Sequence, residues 1–234
     1  MRYTILAAVV ILAIYTIGCD TDRVEPDFER LGSAYFPLKV GQYNIYAVQN
    51  IDYKVTGEVI NANFERKSSV VDSFINQAGS VSYILYDYTR QTESDIWQFE
   101  KAYSARKDGN QAVVTDNNTS FIKLSFPVAN GRTWNGNALN TLDSNLYVID
   151  SVGFRYITPA EDTLKNTLTV IQADNQDFTV ELDRRYELYA LNIGLAYKEE
   201  VSLEYCTDTD CLGQQQIEEG YEYRQYLIEY GNNE

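Results

Sequence analysis

The residues of this chain that could do chemistry are its carboxylates and its cysteines, because none of its 234 residues is a histidine. Serine and cysteine triads with a histidine base, histidine metal ligands and helical zinc proteases are therefore excluded. Carboxylates alone can hydrolyse a glycosidic bond when two of them flank it. The 34 Asp and Glu residues give no basis for choosing such a pair. We therefore expect a protein that is not an enzyme and holds neither cofactor nor metal.

Two of the cysteines, Cys206 and Cys211, are separated by four residues. A redox pair usually has two intervening residues, and a zinc site would need further ligands. Asp208 and Asp210 with Glu204 could hold calcium, but their spacing is not that of a known calcium loop. An even number of cysteines in an oxidising compartment favours a disulfide. A disulfide that closes a short loop is the prediction.

The third cysteine, Cys19, follows an apolar stretch of signal-peptide length that begins after Arg2. The ending Thr16, Ile17, Gly18 before this cysteine resembles the lipobox of bacterial lipoproteins, although Thr16 replaces the usual Leu. The resemblance implies that residues 1–18 are removed as a signal peptide and that Cys19 is acylated. The alternative is an uncleaved signal anchor, which the shortness of the stretch disfavours. Acyl chains would then hold the protein on a lipid bilayer.

Residues 19–34 are rich in acidic side chains and poor in apolar ones, so we predict a solvated tether between lipid and fold. The acidic cluster also resembles the surface-export signal of Bacteroidetes lipoproteins, with an ordinary acidic linker as the alternative. The expected location is the outer membrane, facing either the periplasm or the cell surface. A net charge of −15 with no basic stripe makes nucleic acid an unsuitable partner.

Residues 35–234 are predicted to form a single all-β domain. Apolar side chains alternate with polar ones in stretches such as 178–182 and 201–205, which indicates strands with one face on a core. Runs that are apolar on both faces, such as 81–88, indicate central strands. Turn residues separate these stretches at short intervals. The expected fold is a curved antiparallel sheet of roughly 10–13 strands, either barrel-like or a sandwich.

A short frame occurs twice, as Phe36 and Pro37 with Gly41, and as Phe126 and Pro127 with Gly131. Proline keeps the preceding residue extended, and the glycine permits a positive φ at a turn. Two related halves and independent turn chemistry are both compatible with the repetition.

Residues 92–109 fit two patterns. Ile96, Phe99 and Tyr103 have helical spacing, with Gly109 as a terminator. As a strand, Trp97, Phe99, Lys101 and Tyr103 would share one face. The neighbouring strands favour the strand.

The aromatic residues, 20 Tyr, 9 Phe and 2 Trp, suit half-buried strands, and their main expected role is packing. An alternative role is to stack on a sugar or a peptide. Trp134 is the better candidate because it lies beside the glycine and asparagine loop 135–137, and Trp97 is the other.

The segments 35–41, 117–137 and 193–200 resemble a group of uncharacterised lipoproteins from Bacteroidetes. The resemblance implies location and fold but no activity. Within such proteins, Asp150–Ser151–Val152 and Asp162–Thr163–Leu164 resemble a three-residue O-glycosylation signal, which makes Ser151 and Thr163 candidate modification sites. The sequence thus predicts an envelope lipoprotein that binds a glycan, a peptide or an envelope protein. Alternatives are a structural or assembly component of an envelope complex and a carboxylate-dependent glycosidase.

Overall fold

The computed structural model describes residues 31–159 and 161–233, and these residues form one antiparallel sheet. A single 3₁₀ turn, Ser33–Tyr35, precedes the strands. The strands are β1 Gln42–Tyr53, β2 Val59–Ile75, β3 Val81–Arg90, β4 Gln98–Asp108, β5 Gln111–Asp116, β6 Thr119–Ser125, β7 Thr133–Asn135, β8 Leu146–Ile157, β9 Thr163–Asn175, β10 Glu181–Ala190, β11 Gly194–Tyr205 and β12 Ile217–Asn232. The all-β prediction, its antiparallel pairing and its strand number are confirmed.

The sheet consists of two six-stranded meanders, β1–β6 and β7–β12. They join where β1 pairs along its whole length with β12. At the opposite seam β6 approaches β7, and the Ile122 amide donates to the Gly136 carbonyl oxygen at 2.9 Å. The result is a nearly closed barrel rather than a sandwich.

The two Phe-Pro frames lie at equivalent places in these halves, one before β1 and one before β7. Gly41 has φ 91° and Gly131 has φ 76°, so the expected positive φ is confirmed at both turns. Each frame thus supplies the turn from which a six-stranded half begins.

Because all neighbours are antiparallel, the connections alternate between two ends of the barrel. The N-terminal end holds residues 31–41 and the connections 76–80, 109–110, 126–132, 158–162 and 191–193. The far end holds the connections 54–58, 91–97, 117–118, 136–145, 176–180 and 206–216.

Residues 92–109 form a loop followed by β4, which confirms a strand and not a helix. Thr92 and Asp95 bond to each other within the loop. The expectation of one shared face is wrong, because the β3–β4 register shifts next to Phe99. Phe99 packs on Tyr86 and Tyr88 outside the barrel, whereas Lys101 faces the interior.

The stretch 178–182 is also corrected, because β10 begins only at Glu181. Phe178 and Val180 belong to the preceding turn and are exposed. In β11 the alternation holds, and Val201, Leu203 and Tyr205 are buried together. The polar residues earlier in the same strand do not all face solvent, since Lys198 and Glu200 face an interior cavity.

Candidate functional site

A cavity of about 410 Å³ lies inside the barrel. Every strand except β7 contributes at least one side chain to its lining. This volume falls within the range of about 300–1,000 Å³ that is usual for small-molecule sites. The interior of the barrel is therefore the candidate site.

The segment 31–41 forms the floor of the cavity at the N-terminal end. The Val128 amide donates to the Leu31 carbonyl oxygen at 3.0 Å, and the Asn192 amide donates to that of Ala34 at 2.8 Å. The segment is thereby tied to connections from both the β6–β7 and the β10–β11 pairs. Phe36 and Pro37 face the cavity from below, so this end of the interior is apolar.

The upper lining carries an unusual density of charge, since five Lys and Arg side chains face the cavity. Each of them contacts a carboxylate. The ion pairs are Arg66–Glu100 at 2.9 Å, Lys101–Asp116 at 2.5 Å, Lys123–Glu187 at 2.5 Å, Arg185–Asp183 at 2.7 Å and Lys198–Glu200 at 2.9 Å. The positive charge of the lining is therefore neutralised by the protein itself.

Glu187 is the most deeply buried of these carboxylates. Its Oε1 accepts from Lys123 Nζ, and its Oε2 accepts from the Tyr189 hydroxyl at 2.6 Å. Burial by itself would raise the pKa of Glu187, but the charges of Lys123 and Lys198 and these two hydrogen bonds outweigh it and lower the pKa. Glu187 is thus held as a carboxylate with both oxygens engaged.

Three polar side-chain atoms of the lining have no hydrogen-bond partner among the described residues: Asn44 Oδ1, Asp87 Oδ1 and Gln172 Nε2. The exposed fraction of these residues is 9% for Asn44 and 5% for the other two. A buried polar group without a partner costs about 1–3 kcal/mol. Such atoms facing one cavity are a feature of a site that a bound molecule completes.

The orientation of the Asn44 amide follows from its contacts. Nδ2 donates to the Ile193 carbonyl oxygen at 3.1 Å and to the Tyr46 hydroxyl at 3.1 Å. A carbonyl oxygen only accepts, so the nitrogen must point toward Ile193. Asn44 Oδ1 is therefore the atom that faces the cavity.

Asp87 lies in a cross-strand row with Asn44 and Ser68, in which each residue is paired with the next. Burial raises the pKa of Asp87, against the lowering effects of Ser68, Arg66 and Lys101. The carboxyl is therefore more readily protonated than an exposed aspartate.

Aromatic rings complete the walls. The hydroxyl of Tyr46 donates to the Leu195 carbonyl oxygen at 3.1 Å, and that of Tyr189 donates to Glu187. The Tyr103 hydroxyl is bonded to Ser68 Oγ at 2.6 Å. Because these hydroxyls are engaged within the protein, the faces and edges of the rings are what the cavity presents.

Neither tryptophan lines this cavity. Trp134 donates from Nε1 to the Ile122 carbonyl oxygen at 2.9 Å and packs edge-to-face on Tyr147. Its indole thus bridges the seam between β6 and β7. Trp97 is half-buried at the far end, where the Arg90 guanidinium lies 4.3 Å from its ring centroid.

The remaining predicted residues are placed as follows. Cys206 and Cys211 form the expected disulfide in the β11–β12 connection, with 5.8 Å between their Cα atoms. Ser151 is half-buried in β8, and Thr163 is exposed at the start of β9. Cys19 lies outside the described residues.

Sequence reasoning did not find Asn44, Asp87, Gln172 or Glu187. One signal was present, because Asp87 interrupts the apolar run 81–88 that was predicted as a central strand. A carboxylate at such a position needs either a partner or a function.

Within residues 31–159 and 161–233, no cluster of three or more Cys, Asp and Glu side chains could hold a metal ion. In the same residues no helix has the length and apolar character needed to cross a membrane.

No protein-family model and no curated protein matches this chain. Two solved structures are similar to it at low level. One is a protein of Bacteroides fragilis described as exported with a YmcC-like fold, at 10% identity and TM-score 0.43, covering 84% of this chain and 98% of that one. The other is described as a lipoprotein of Parabacteroides distasonis, at 12% identity and TM-score 0.40, with the same two coverages. Similarity this low identifies no function.

Proposed function

We propose that this chain is an envelope lipoprotein, anchored through acylated Cys19, that binds a small polar ligand inside its barrel. The observation that carries the binding proposal is the set of buried, unpartnered atoms of Asn44, Asp87 and Gln172 around one cavity. Natural proteins leave few such atoms, and three facing one space favour a functional explanation.

The carboxylates of the cavity favour binding without catalysis, because other side chains of the protein already engage most of them. Glycoside hydrolysis needs one carboxylate as acid and a second as nucleophile or base. Glu187 would have to give up Lys123 or Tyr189 to serve, and Asp116 and Glu200 are held by lysines. Every other carboxylate of the lining is thus already bonded, so none is available to act with Asp87 as the second catalytic acid.

The anchor tethers the barrel at one end. The described residues begin at residue 31, at the N-terminal end of the barrel. A lipid on Cys19 would therefore hold this end within one tether length of the bilayer. The outer membrane is the proposed location.

Protease shaving and antibody labelling of intact cells test the anchor and its side. The wild type is expected in the membrane fraction, and Cys19→Ala is expected to lose it. Labelling of intact cells would assign the protein to the surface, and protection until the outer membrane is opened would assign it to the periplasm. A Cys19→Ala variant that stays membrane-bound would refute lipid anchoring.

Native mass spectrometry of the lipoprotein extracted from its own membranes tests the binding proposal. We expect a small-molecule adduct on the wild type that is depleted on Asp87→Asn. Ser69→Ala is the matched control, because Ser69 Oγ is equally buried and unpartnered but does not line the cavity. Equal adducts on both variants, or none on the wild type, would contradict a ligand in the cavity.

Exposed hydrophobic residues at the far end of the barrel favour a second candidate function, which is docking on an envelope protein. Five of its six connections carry an exposed large hydrophobic residue, and Ile96 at 82% is the most exposed. These connections contain seven acidic residues and one lysine, so the fitting partner has basic and apolar residues. Crosslinking in native membranes should give a defined product that Ile96→Ser removes. An unchanged product would exclude this surface.

A further inference from the structure

We infer that the ligand of the cavity is an uncharged, hydroxyl-bearing ring compound, that is, a neutral saccharide unit. This inference rests on the proposed function, since it names the class of ligand for the same cavity. It follows from what the lining has already satisfied within the protein and from what it has left open.

The charge of the cavity lining limits the charge of the ligand. All five cationic side chains of the lining are paired with carboxylates. An anionic ligand would have to displace one of those carboxylates, and at the largely buried pair Lys123–Glu187 an uncompensated charge is costly. A cationic ligand would be attracted to Asp87, but Arg66 and Lys101 act on the same carboxyl. A ligand without formal charge meets neither obstacle.

The unpartnered polar atoms of the lining determine which hydrogen-bonding groups the ligand must offer. Asn44 Oδ1 and Asp87 Oδ1 accept, and Gln172 Nε2 donates. The ligand must therefore offer at least two donors and one acceptor. A hydroxyl group both donates and accepts, so neighbouring hydroxyls on one molecule can satisfy all three atoms.

The three unpartnered atoms lie on strands of both halves of the barrel. Asn44 on β1 and Asp87 on β3 flank Ser68 in one cross-strand row, which places their backbones about 10 Å apart. Gln172 lies on β9, in the other half of the barrel. A ligand that contacts all three spans the interior between the two halves.

Aromatic rings of the cavity lining determine what packs against the rest of the ligand. Tyr46 and Tyr189 present rings whose hydroxyls are already bonded, and Phe36 faces the cavity from the floor. The C–H faces of a sugar ring pack on such surfaces while its hydroxyls bond at the edge.

The test is calorimetric titration of the full lipoprotein in a polyoxyethylene detergent, which carries no sugar. The probes share one ring: glucose and N-acetylglucosamine are neutral, glucuronate is anionic and glucosamine is cationic. We expect the neutral sugars to bind and the charged ones to bind at least about tenfold more weakly. Asp87→Asn and Gln172→Leu should each weaken neutral binding by about tenfold or more, while Ser69→Ala should not.

Each other outcome overturns the inference. Tighter binding of glucuronate or glucosamine would assign a charged ligand. Loss of binding in Ser69→Ala would mean that the variants act through stability. If no sugar binds, the adduct in native mass spectrometry separates the two proposals: a non-saccharide adduct keeps the cavity as a binding site, and no adduct removes both.

Discussion

Lys123 on β6 and Glu187 on β10 form an ion pair across the interior of the barrel, although 64 residues separate them in the chain. Their Nζ and Oε1 atoms lie 2.5 Å apart, and both side chains are largely buried. The two strands are not neighbours in the sheet. The pair therefore connects the two six-stranded halves of the barrel across its interior.

Lys123→Met should lower the free energy of unfolding by about 3–5 kcal/mol, because it leaves the buried Glu187 without the cation that bonds to it. Adding Glu187→Gln should recover most of that loss. Urea denaturation at pH 7 measures both. Lys54→Met is the control, since Lys54 and Asp52 form an exposed pair at 3.9 Å, and a change within about 1 kcal/mol is expected there.

The same pair predicts a pH dependence. The pKa of Glu187 is lowered in the folded state from its usual 4.5. Its contribution is therefore present above that value and is lost as the pH falls through the folded pKa. The stability gap between wild type and Lys123→Met should narrow as the pH falls, because the unpaired Glu187 of the folded variant takes up a proton at a higher pH than the paired Glu187 of the wild type. A gap that is constant from pH 7 to pH 3 would contradict this.

Asp87→Asn should stabilise the protein at neutral pH. The pKa of Asp87 is raised by burial above its usual 3.8, so the folded state binds more protons than the unfolded state in that window. The stability contributed by Asp87 then falls as the pH rises through the window. Melting temperatures from pH 3 to pH 7 should show the variant ahead at pH 7 and equal to the wild type at the acid end. A less stable variant at pH 7 would show that Asp87 serves the fold rather than a ligand.

Trp134→Phe should lower the free energy of unfolding by about 1–2 kcal/mol, because the Ile122 carbonyl oxygen loses its indole donor at the seam. Trp97→Phe is the matched control, since this ring lies in a far-end loop against Arg90. A change within about 0.5 kcal/mol is expected for it. Each variant retains a single tryptophan, so fluorescence reports unfolding from one known place. Equal effects would mean that the indole bond does not stabilise the seam.

Reducing the Cys206–Cys211 disulfide should cost about 2 kcal/mol, because the ring that it closes is short. Unfolding of the wild type with and without reductant measures the cost. The Cys206→Ser/Cys211→Ser variant should match the reduced protein and should not respond to reductant. A response in that variant would place the effect elsewhere.

Thr163 is the more accessible of the two candidate glycosylation sites. It is exposed at the start of β9, whereas Ser151 is half-buried in β8 and paired with Thr169. If the transferase acts on the folded protein, the peptide that contains Thr163 should carry a mass shift and the peptide with Ser151 should not. Thr163→Ala should abolish the shift. Unmodified peptides from native cells would reject both sites.

Period-two alternation was sufficient to predict the antiparallel all-β fold, and Gly41 and Gly131 marked the start of each half. Alternation could not predict the cavity. It separates two faces of a strand, but it does not say whether the polar face points to solvent or to a second wall. In β11, Lys198 and Glu200 face the cavity, and Glu187 and Tyr223 from other strands lie close enough to Lys198 to raise its pKa. Those partners are set by closure of the barrel.

Trp134 was chosen for its large ring beside a loop. Its position at a seam depends on β6 and β7 meeting, and they are the two end strands of the sheet order. Local sequence carries no information about that meeting. The same reason explains why Gln172, at a register shift toward the end of β9, could not be singled out.

The pairing of β1 with β12 also governs the order in which this chain can fold as it is synthesised. The first strand has its final partner on one side only when the last 16-residue strand, Ile217–Asn232, has arrived. A chain interrupted before that strand exposes β1 and β11 as two open edges, which are templates for aggregation. Loss of the C-terminal strand is therefore expected to be more damaging than loss of a whole connection at the far end, and cellular proteolysis should remove such incomplete chains first.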